Sequence, residues 1–221
     1  MSPDLIQALV GVLEAKDLST AAHTWRVVLY TRALAEAHGA SRELVTRLTH
    51  AAALHDVGKI DIPDEILQKP GPLTPAERAL IETHAALGHE RLVRMDEADD
   101  LVLGLVRHHH ERWDGLGYPD KLKGDAIPLG ARYFAVIDAF DAMTSIRPYR
   151  DTVGADAAAR AIVELKNGKG TRYNGDSVDA FADLYHTGQI DWILNYFNDR
   201  CPVPEYAALA DVDGVVRTSK K

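Results

Sequence analysis

"SRELVTRLTHAAALHDVGK", residues 41–59, is the stretch on which the fold turns. Ser41 is a residue type that caps helices, and "ELVTRLTHAAALHD" runs on from it with helical spacing. The helix ends on an adjacent histidine and aspartate, His55 and Asp56. Neighbours within a helix do not share a face, but at a helix end both can turn toward one ion. The competing reading is an ordinary helix-end histidine followed by a capping aspartate. This pair alone does not choose between the two.

Working outward, the chain reads almost entirely as helix. Ser2-Pro3-Asp4 is an N-cap, an N1 proline and a first-turn acid, and Leu5, Ile6, Leu9, Val10 and Leu13 follow at helical spacing. A second helix runs from about Thr20 to His38 and stops at Gly39. Beyond Asp56 comes a proline- and glycine-rich loop, "KIDIPDEILQKPGPL". "TPAE" at 74–77 is a capping box that starts another helix, on which His84 rides. "DDLVLGLVRHHH" carries a further helix, and a long loop extends from Asp114 to about Pro128. "LGARYFAVIDAFDAMTS" is helical again, and helices from about Ala155 to Lys166 and Asp176 to His186 close the core. Alternating strand patterns are scarce. The tail after residue 200 has no clear pattern, and its basic end is expected to fray.

The bulk numbers exclude several classes. The 221 residues are enough to bury a core without disulfides, and a composition 46% hydrophobic and 26% charged is ordinary for a globular chain. A single cysteine, Cys201, rules out an internal disulfide framework and suits a reducing cytoplasm. The first apolar run meets Asp4 at once and stops at Glu14, so neither a membrane span nor a targeting signal is expected. A formal net charge of −8 argues against a general grip on DNA or RNA. A small phosphate ligand remains compatible, because bound metal ions reverse the local field.

The candidate chemistry lies in histidines and aspartates. Besides His55 and Asp56, His84 sits in an amphipathic helix, where a core histidine with a partner is the alternative. His109 and His110 precede "ERWDG". Asp138 stands inside an apolar helical run, where an unpaired carboxylate would be costly to bury. His23, in "STAAHTWRV", is the remaining candidate. His38, His50, His89 and His186 read as ordinary, and His108 points away from His110 on a helix. Four or five imidazoles with two carboxylates and no thiolate suit a pair of divalent transition metals, iron or manganese rather than structural zinc. Two such ions about 3.5–4 Å apart can bridge a hydroxide and clamp a phosphate ester, a route to phosphodiester hydrolysis.

Four ordered motifs, "HDVGKIDIPDEILQKPGPLTPAE", "HAALGHERL", "HHERWDGLGYP" and "IPLGARYFAVIDAFDAMTSIRPYR", together resemble the HD-GYP family. That family comprises bacterial cyclic di-GMP phosphodiesterases within the HD metal-dependent phosphohydrolases. "GTRYNGDSVDAF" resembles its closing segment, so the likeness runs from His23 to about residue 187. It implies an all-α, HD-domain-like helical bundle with a long GYP loop. It divides the chain into an N-terminal helix at 1–18, a catalytic domain at 19–200 and a tail at 201–221. His55 and Asp56 would be the namesake ligands, with Asp56 bridging two metals. His23 and Asp138 would complete one shell, and His84, His109 and His110 the other. Lys59 would face the scissile phosphate, to neutralise charge or protonate the leaving alkoxide. Gly115 and Gly117 would allow tight turns and close approach of a ligand, and Tyr118 would stack on guanine. Arg147 and Arg150 match nucleotide-contacting positions, where arginine suits phosphate or guanine edges.

The resemblance carries two departures. Some members hold a third metal with a glutamate four residues before the first histidine, where this chain has Ser19. Two metals are therefore expected, which leaves open whether cleavage ends at linear pGpG or continues to GMP. Little chain precedes His23, where relatives often carry a sensor domain, so regulation would come from a partner, an oligomer or expression level. Diguanylate cyclase (GGDEF) proteins would dock on the GYP loop. The first helix would pack on the core or on a second copy in a homodimer. Two rival functions stand beside cyclic di-GMP hydrolysis. One is action on another dinucleotide such as 3′,3′-cGAMP, and the other is a catalytically weak nucleotide-binding signalling module.

Overall fold

A computed structural model describes residues 1–16, 20–145 and 156–196, and these form a helical bundle. Among them no β-strand forms, and β-type pairing is limited to an isolated bridge between Lys169 and Tyr173. The first helix, α1 (Pro3–Lys16), is capped by Ser2, whose Oγ accepts from the Leu5 N–H at 3.4 Å. It buries Ile6, Leu9, Val10 and Leu13. Its last residue ties it to the region after the HD pair, since Lys16 Nζ donates to the Ile60 carbonyl at 2.7 Å. Of the two partners foreseen for this helix, the described packing is on the core of its own chain.

The axis of the bundle is α2 (Thr20–Ala37). Trp25, Val27, Val28, Leu29 and Tyr30 are all buried, so α2 is covered on every side, as a central helix must be. It ends at Gly39, whose φ of 69° is the left-handed C-cap conformation. The next helix, α3 (Arg42–Leu54), starts on Ser41, which accepts from the Leu44 N–H at 3.2 Å. Ala51, Ala52 and Ala53 are fully buried, small residues that let α3 lie close against α2.

Two expectations need correction. The stretch beyond Asp56, read as loop, contains a 3-10 turn (Val57–Asp61) and a short helix, α4 (Asp64–Leu67). The helix begun by the capping box also does not run through His84. It divides at Thr83 into α5 (Pro75–Glu82) and α6 (His84–Arg94). Side chains cause the break: Thr83 Oγ1 donates to the Leu80 carbonyl at 2.6 Å and His84 Nδ1 to that of Ile81 at 2.7 Å. Both carbonyls, which also accept the Thr83 backbone N–H, are thereby engaged by side chains at the helix end. The capping box itself is present, with Thr74 and Glu77 exchanging side-chain-to-backbone bonds.

The remaining helices are α7 (Asp100–His108), capped by Asp99, then α8 (Leu129–Thr144), α9 (Ala157–Asn167) and α10 (Gly175–His186). The last, α11 (Asp191–Tyr196), was not read from the sequence. Phe140 of α8 and Phe181 of α10 pack edge-on against Tyr30 of α2, and Phe134 and Ile137 of α8 join the same core, Phe134 with its ring centroid 4.8 Å from that of His55. No helix among the described residues is long and apolar enough to cross a membrane.

Candidate metal centre

Three of the candidate histidines occupy one kind of local position, just beyond the C-terminal end of a helix. His55 follows α3, His84 follows α5 and His109 follows α7. Each ring turns back on its own helix, with Nδ1 contacting the carbonyl three residues earlier: Ala52 at 2.7 Å, Ile81 at 2.7 Å and Val106 at 2.9 Å. A carbonyl only accepts, so each Nδ1 must carry the proton. These bonds satisfy carbonyls that a helix end leaves orphaned, and in the neutral ring they leave Nε2 as a lone pair facing away from the helix.

His23 reaches the same tautomer differently. It lies inside α2, and its Nδ1 donates to Asp141 Oδ2 of α8 at 2.8 Å. Asp141 is fully buried and also accepts from Arg26 Nε at 2.5 Å and Arg26 Nη2 at 3.1 Å. Burial alone would raise its pKa, but Arg26 and His23 outweigh it and hold the carboxyl well below the usual carboxylate range.

The outward nitrogens converge. His23 Nε2 lies 3.2 Å from His55 Nε2, and His84 Nε2 lies 3.2 Å from His109 Nε2. Asp56 stands between the two pairs, with Oδ2 at 3.2 Å from His55 Nε2 and Oδ1 at 3.2 Å from His84 Nε2. Two groups of possible ligand atoms result, His23–His55–Asp56 and Asp56–His84–His109–His110, with Asp56 common to both. Lone pairs and a carboxylate aimed at one another in a buried space repel unless a cation lies among them. The donor set therefore fits a pair of divalent ions, with second partners that already fix the imidazoles of His23, His55, His84 and His109.

Electrostatics around the centre follow from burial. It pushes His109 well below the ordinary histidine range, helped by the neighbouring imidazoles of His110, His55 and His84. Burial likewise pushes His110 down to about 4. Neutral rings are the form a metal needs. On His55 burial acts downward, but Asp56 beside it turns the balance upward. Asp56 is itself held well below its usual range: burial opposes this, and Lys59 and His55 override it.

The remaining expected residues distribute as follows. Asp138 is half-buried, with Oδ1 at 3.6 Å from His23 Nε2, at the rim of the first group. Lys59 Nζ lies 2.6 Å from Asp56 Oδ2. Tyr118 stacks on His110, ring centroids 4.8 Å apart, and follows the turn at Gly115, whose φ is 82°. Gly117 differs from expectation. Its missing side chain does not make room for a ligand: a Cβ would stand 2.4 Å from the Arg112 nitrogen and 2.5 Å from the His110 carbonyl oxygen. The protein backbone itself fills that space. Ser19, Arg147 and Arg150 lie outside the described residues. His108 turns away, as expected, to Asp120 at 3.0 Å.

Sequence reading missed Asp141, Arg26 and Glu111. A signal existed for the first two, because Asp138/Asp141 and His23/Arg26 are each spaced i, i+3 and so share a helix face. Glu111 is buried and accepts from the Asp120 and Leu122 N–H groups at 2.7 and 3.0 Å, pinning the GYP loop. Nothing in the spacing of "HHHE" announces that role.

Comparison with known proteins places this architecture. Residues 10–176 match the model of the HD domain family, and the chain belongs to that family, as the HD-GYP resemblance implied. A cyclic di-GMP phosphodiesterase of Thermotoga maritima is 41% identical over 183 residues, covering 82% of this chain and 49% of the relative. A Vibrio cholerae protein named 3'3'-cGAMP-specific phosphodiesterase 2 is 40% identical over 151 residues, 68% of this chain and 29% of the relative. The chain thus spans half or less of the length of these relatives. The crystal structure of a V. cholerae cyclic GMP-AMP-specific phosphodiesterase shares the fold, with a TM-score of 0.64 at 17% identity over 86% of this chain and 51% of that one.

Proposed function

We propose that the chain is a metal-dependent phosphodiesterase that opens cyclic di-GMP to linear pGpG. The observation that carries this reading is the shared position of Asp56, one oxygen toward His55 and the other toward His84. A carboxylate placed so suits a bridging ligand between His23–His55 (with Asp138) and His84–His109–His110. Two divalent ions held there, iron first and manganese second, would supply a water nucleophile active at neutral pH and neutralise charge on the phosphate.

The chain's own groups do the rest. Water, losing a proton to solvent, bonds through its oxygen to phosphorus in line with a ribose 3′ oxygen, whose bond to phosphorus breaks. Lys59, whose Nζ lies 2.6 Å from Asp56 Oδ2, holds the proton that the leaving oxygen takes. Tyr118 is kept protonated by burial, then by Glu82, Asp56 and Asp138, which raise its pKa far above the ordinary range. It therefore acts as a stacking wall and hydrogen-bond donor, not a base. Arg147 and Arg150 would grip the nucleotide, and Ser19 in place of a carboxylate favours two metals and a pGpG product. The catalytic unit is residues 19–200 and works in the cytoplasm. Leu116, 74% exposed at the tip of the GYP loop, suits docking of a diguanylate cyclase.

A second reading, hydrolysis of 3′,3′-cGAMP, is favoured by the name of the V. cholerae relative at 40% identity. One experiment addresses both. The protein is purified without oxygen, its metals are counted by mass spectrometry, and it is incubated with each dinucleotide plus Mn(II) or Fe(II). About two metals and pGpG are expected. Two metals with cGAMP cleavage alone would favour the second reading, and two metals with neither product would point to a signalling module. No binding after reconstitution would sink the ligand assignment. Asp56→Ala separates enzyme from scaffold, abolishing turnover in the first and sparing partner binding in the second.

A further inference from the structure

We infer that the two metal positions are unequal, and that Asp141, locked by Arg26 and Ser145, is a positioning residue that governs the His23–His55–Asp56 position alone. This rests on the metal-centre reading above. His55, His84 and His109 are each oriented by a backbone carbonyl of their own helix, a neutral partner that no side-chain change removes. His23, in the first turns of α2, is held differently. Its orientation comes from a carboxylate 118 residues away, on α8.

That carboxylate is itself held on several sides. Arg26 approaches Asp141 through both Nε and Nη2, a charge-assisted fork. Arg26 Nη2 also donates to Ser145 Oγ at 2.8 Å, and that hydroxyl lies 2.6 Å from the Asp141 carbonyl and 3.0 Å from Oδ2. Asp141 is 0% exposed and Arg26 5%. A carboxylate buried so deeply needs this compensation. The paired i, i+3 residues, His23/Arg26 on α2 and Asp138/Asp141 on α8, fasten the two helices across one end of the centre. Among the described residues, Asp141 is the partner that fixes which nitrogen of His23 faces His55. The carboxylate also makes the imidazole a stronger donor than a carbonyl partner would, tempered by the opposing Arg26. Partners of this kind typically alter metal affinity by about 10–100-fold when lost.

The test is the double variant D141N/R26Q, which replaces the buried ion pair by an amide pair and keeps the fold hydrogen-bonded. Mn(II) is titrated calorimetrically, bound metal is counted, and the His23 ring nitrogens are read by 15N NMR. The expected result is a loss of about 10–100-fold in affinity for one metal of two, the other unchanged, with a shift in the His23 tautomer signals. Equal affinities to wild type at both positions would overturn the inference, as would parallel loss of both metals in a folded variant. If wild type itself takes up no metal pair, the metal-centre reading fails instead. Should the double variant not fold, Ser145→Ala retains both charges and must still weaken one position selectively. Unchanged His23 signals and unchanged affinities in that variant would also overturn the inference.

Discussion

Substituting Gly58 by alanine tests how the centre is assembled. Gly58 lies in the 3-10 turn after Asp56, where that turn meets the start of α6. An added Cβ would stand 1.9 Å from the His84 carbonyl oxygen, 2.5 Å from the Gly88 nitrogen and 2.8 Å from the His84 carbonyl carbon. All are backbone atoms, so no side chain can swing aside. To reach even 3.0 Å the His84 carbonyl must retreat by about 1.1 Å. Overpacking of this kind costs about 1–3 kcal/mol, which in a chain of this size lowers Tm by roughly 2–12 °C. The damage is directional, because His84 Nε2 sits 3.2 Å from both His109 Nε2 and Asp56 Oδ1. Ligand distances tolerate about 0.2 Å, so the His84–His109–His110 position should lose its ion first. Thermal unfolding by calorimetry with parallel metal counting reads both effects. Gly11→Ala is the matched control: Gly11 is exposed in α1 with nothing within 4 Å of its would-be Cβ, and it should gain about 0.5–1 kcal/mol. A Gly58→Ala protein that melts like wild type with two metals at wild-type affinity would refute the packing argument.

Glu111→Gln should loosen the GYP loop at a cost of about 1–3 kcal/mol, because an amide cannot accept from both loop N–H groups as the carboxylate does. Hydrogen exchange should quicken at the Asp120 and Leu122 amides and not in α8, and uniform protection would contradict this. Thr74→Ala removes the capping-box acceptor and should cost about 1 kcal/mol, read as a lower urea midpoint. Acid should act through His110. Burial holds its folded pKa at about 4, below the ordinary histidine value of about 6.5, so the unfolded chain binds the proton first. The metal-free protein should therefore keep this contribution above about pH 6.5 and lose it progressively as pH falls toward 4. His110→Gln should flatten that slope in urea unfolding, and an unchanged slope would assign the acid sensitivity elsewhere.

The residues that converge in the centre could be picked out in the sequence because each is chemically out of place there, a histidine or acid set among apolar neighbours or clustered beside a glycine turn. The helical frame was legible for a similar reason, since capping residues such as Ser2, Ser41 and Thr74 act locally. What could not be read is the device that orients the ligands. His55, His84 and His109 each cap the carbonyl three residues back, and this also explains the misread helix at Thr83: the chain breaks α5 so that His84 can turn back on it. A propensity reading sees an unbroken amphipathic run there and misses that a side chain outcompetes the backbone. Asp141 was overlooked for the opposite reason. Its neighbour Asp138 had already accounted for an acid in the apolar helix, and the partner that makes a second buried carboxylate tolerable, Arg26, lies 115 residues earlier in the chain. Local chemistry marks which residues touch a metal. The residues that hold those ligands in place are joined to them only through the tertiary packing of α2 on α8, and a buried charge becomes intelligible once both helices are in view.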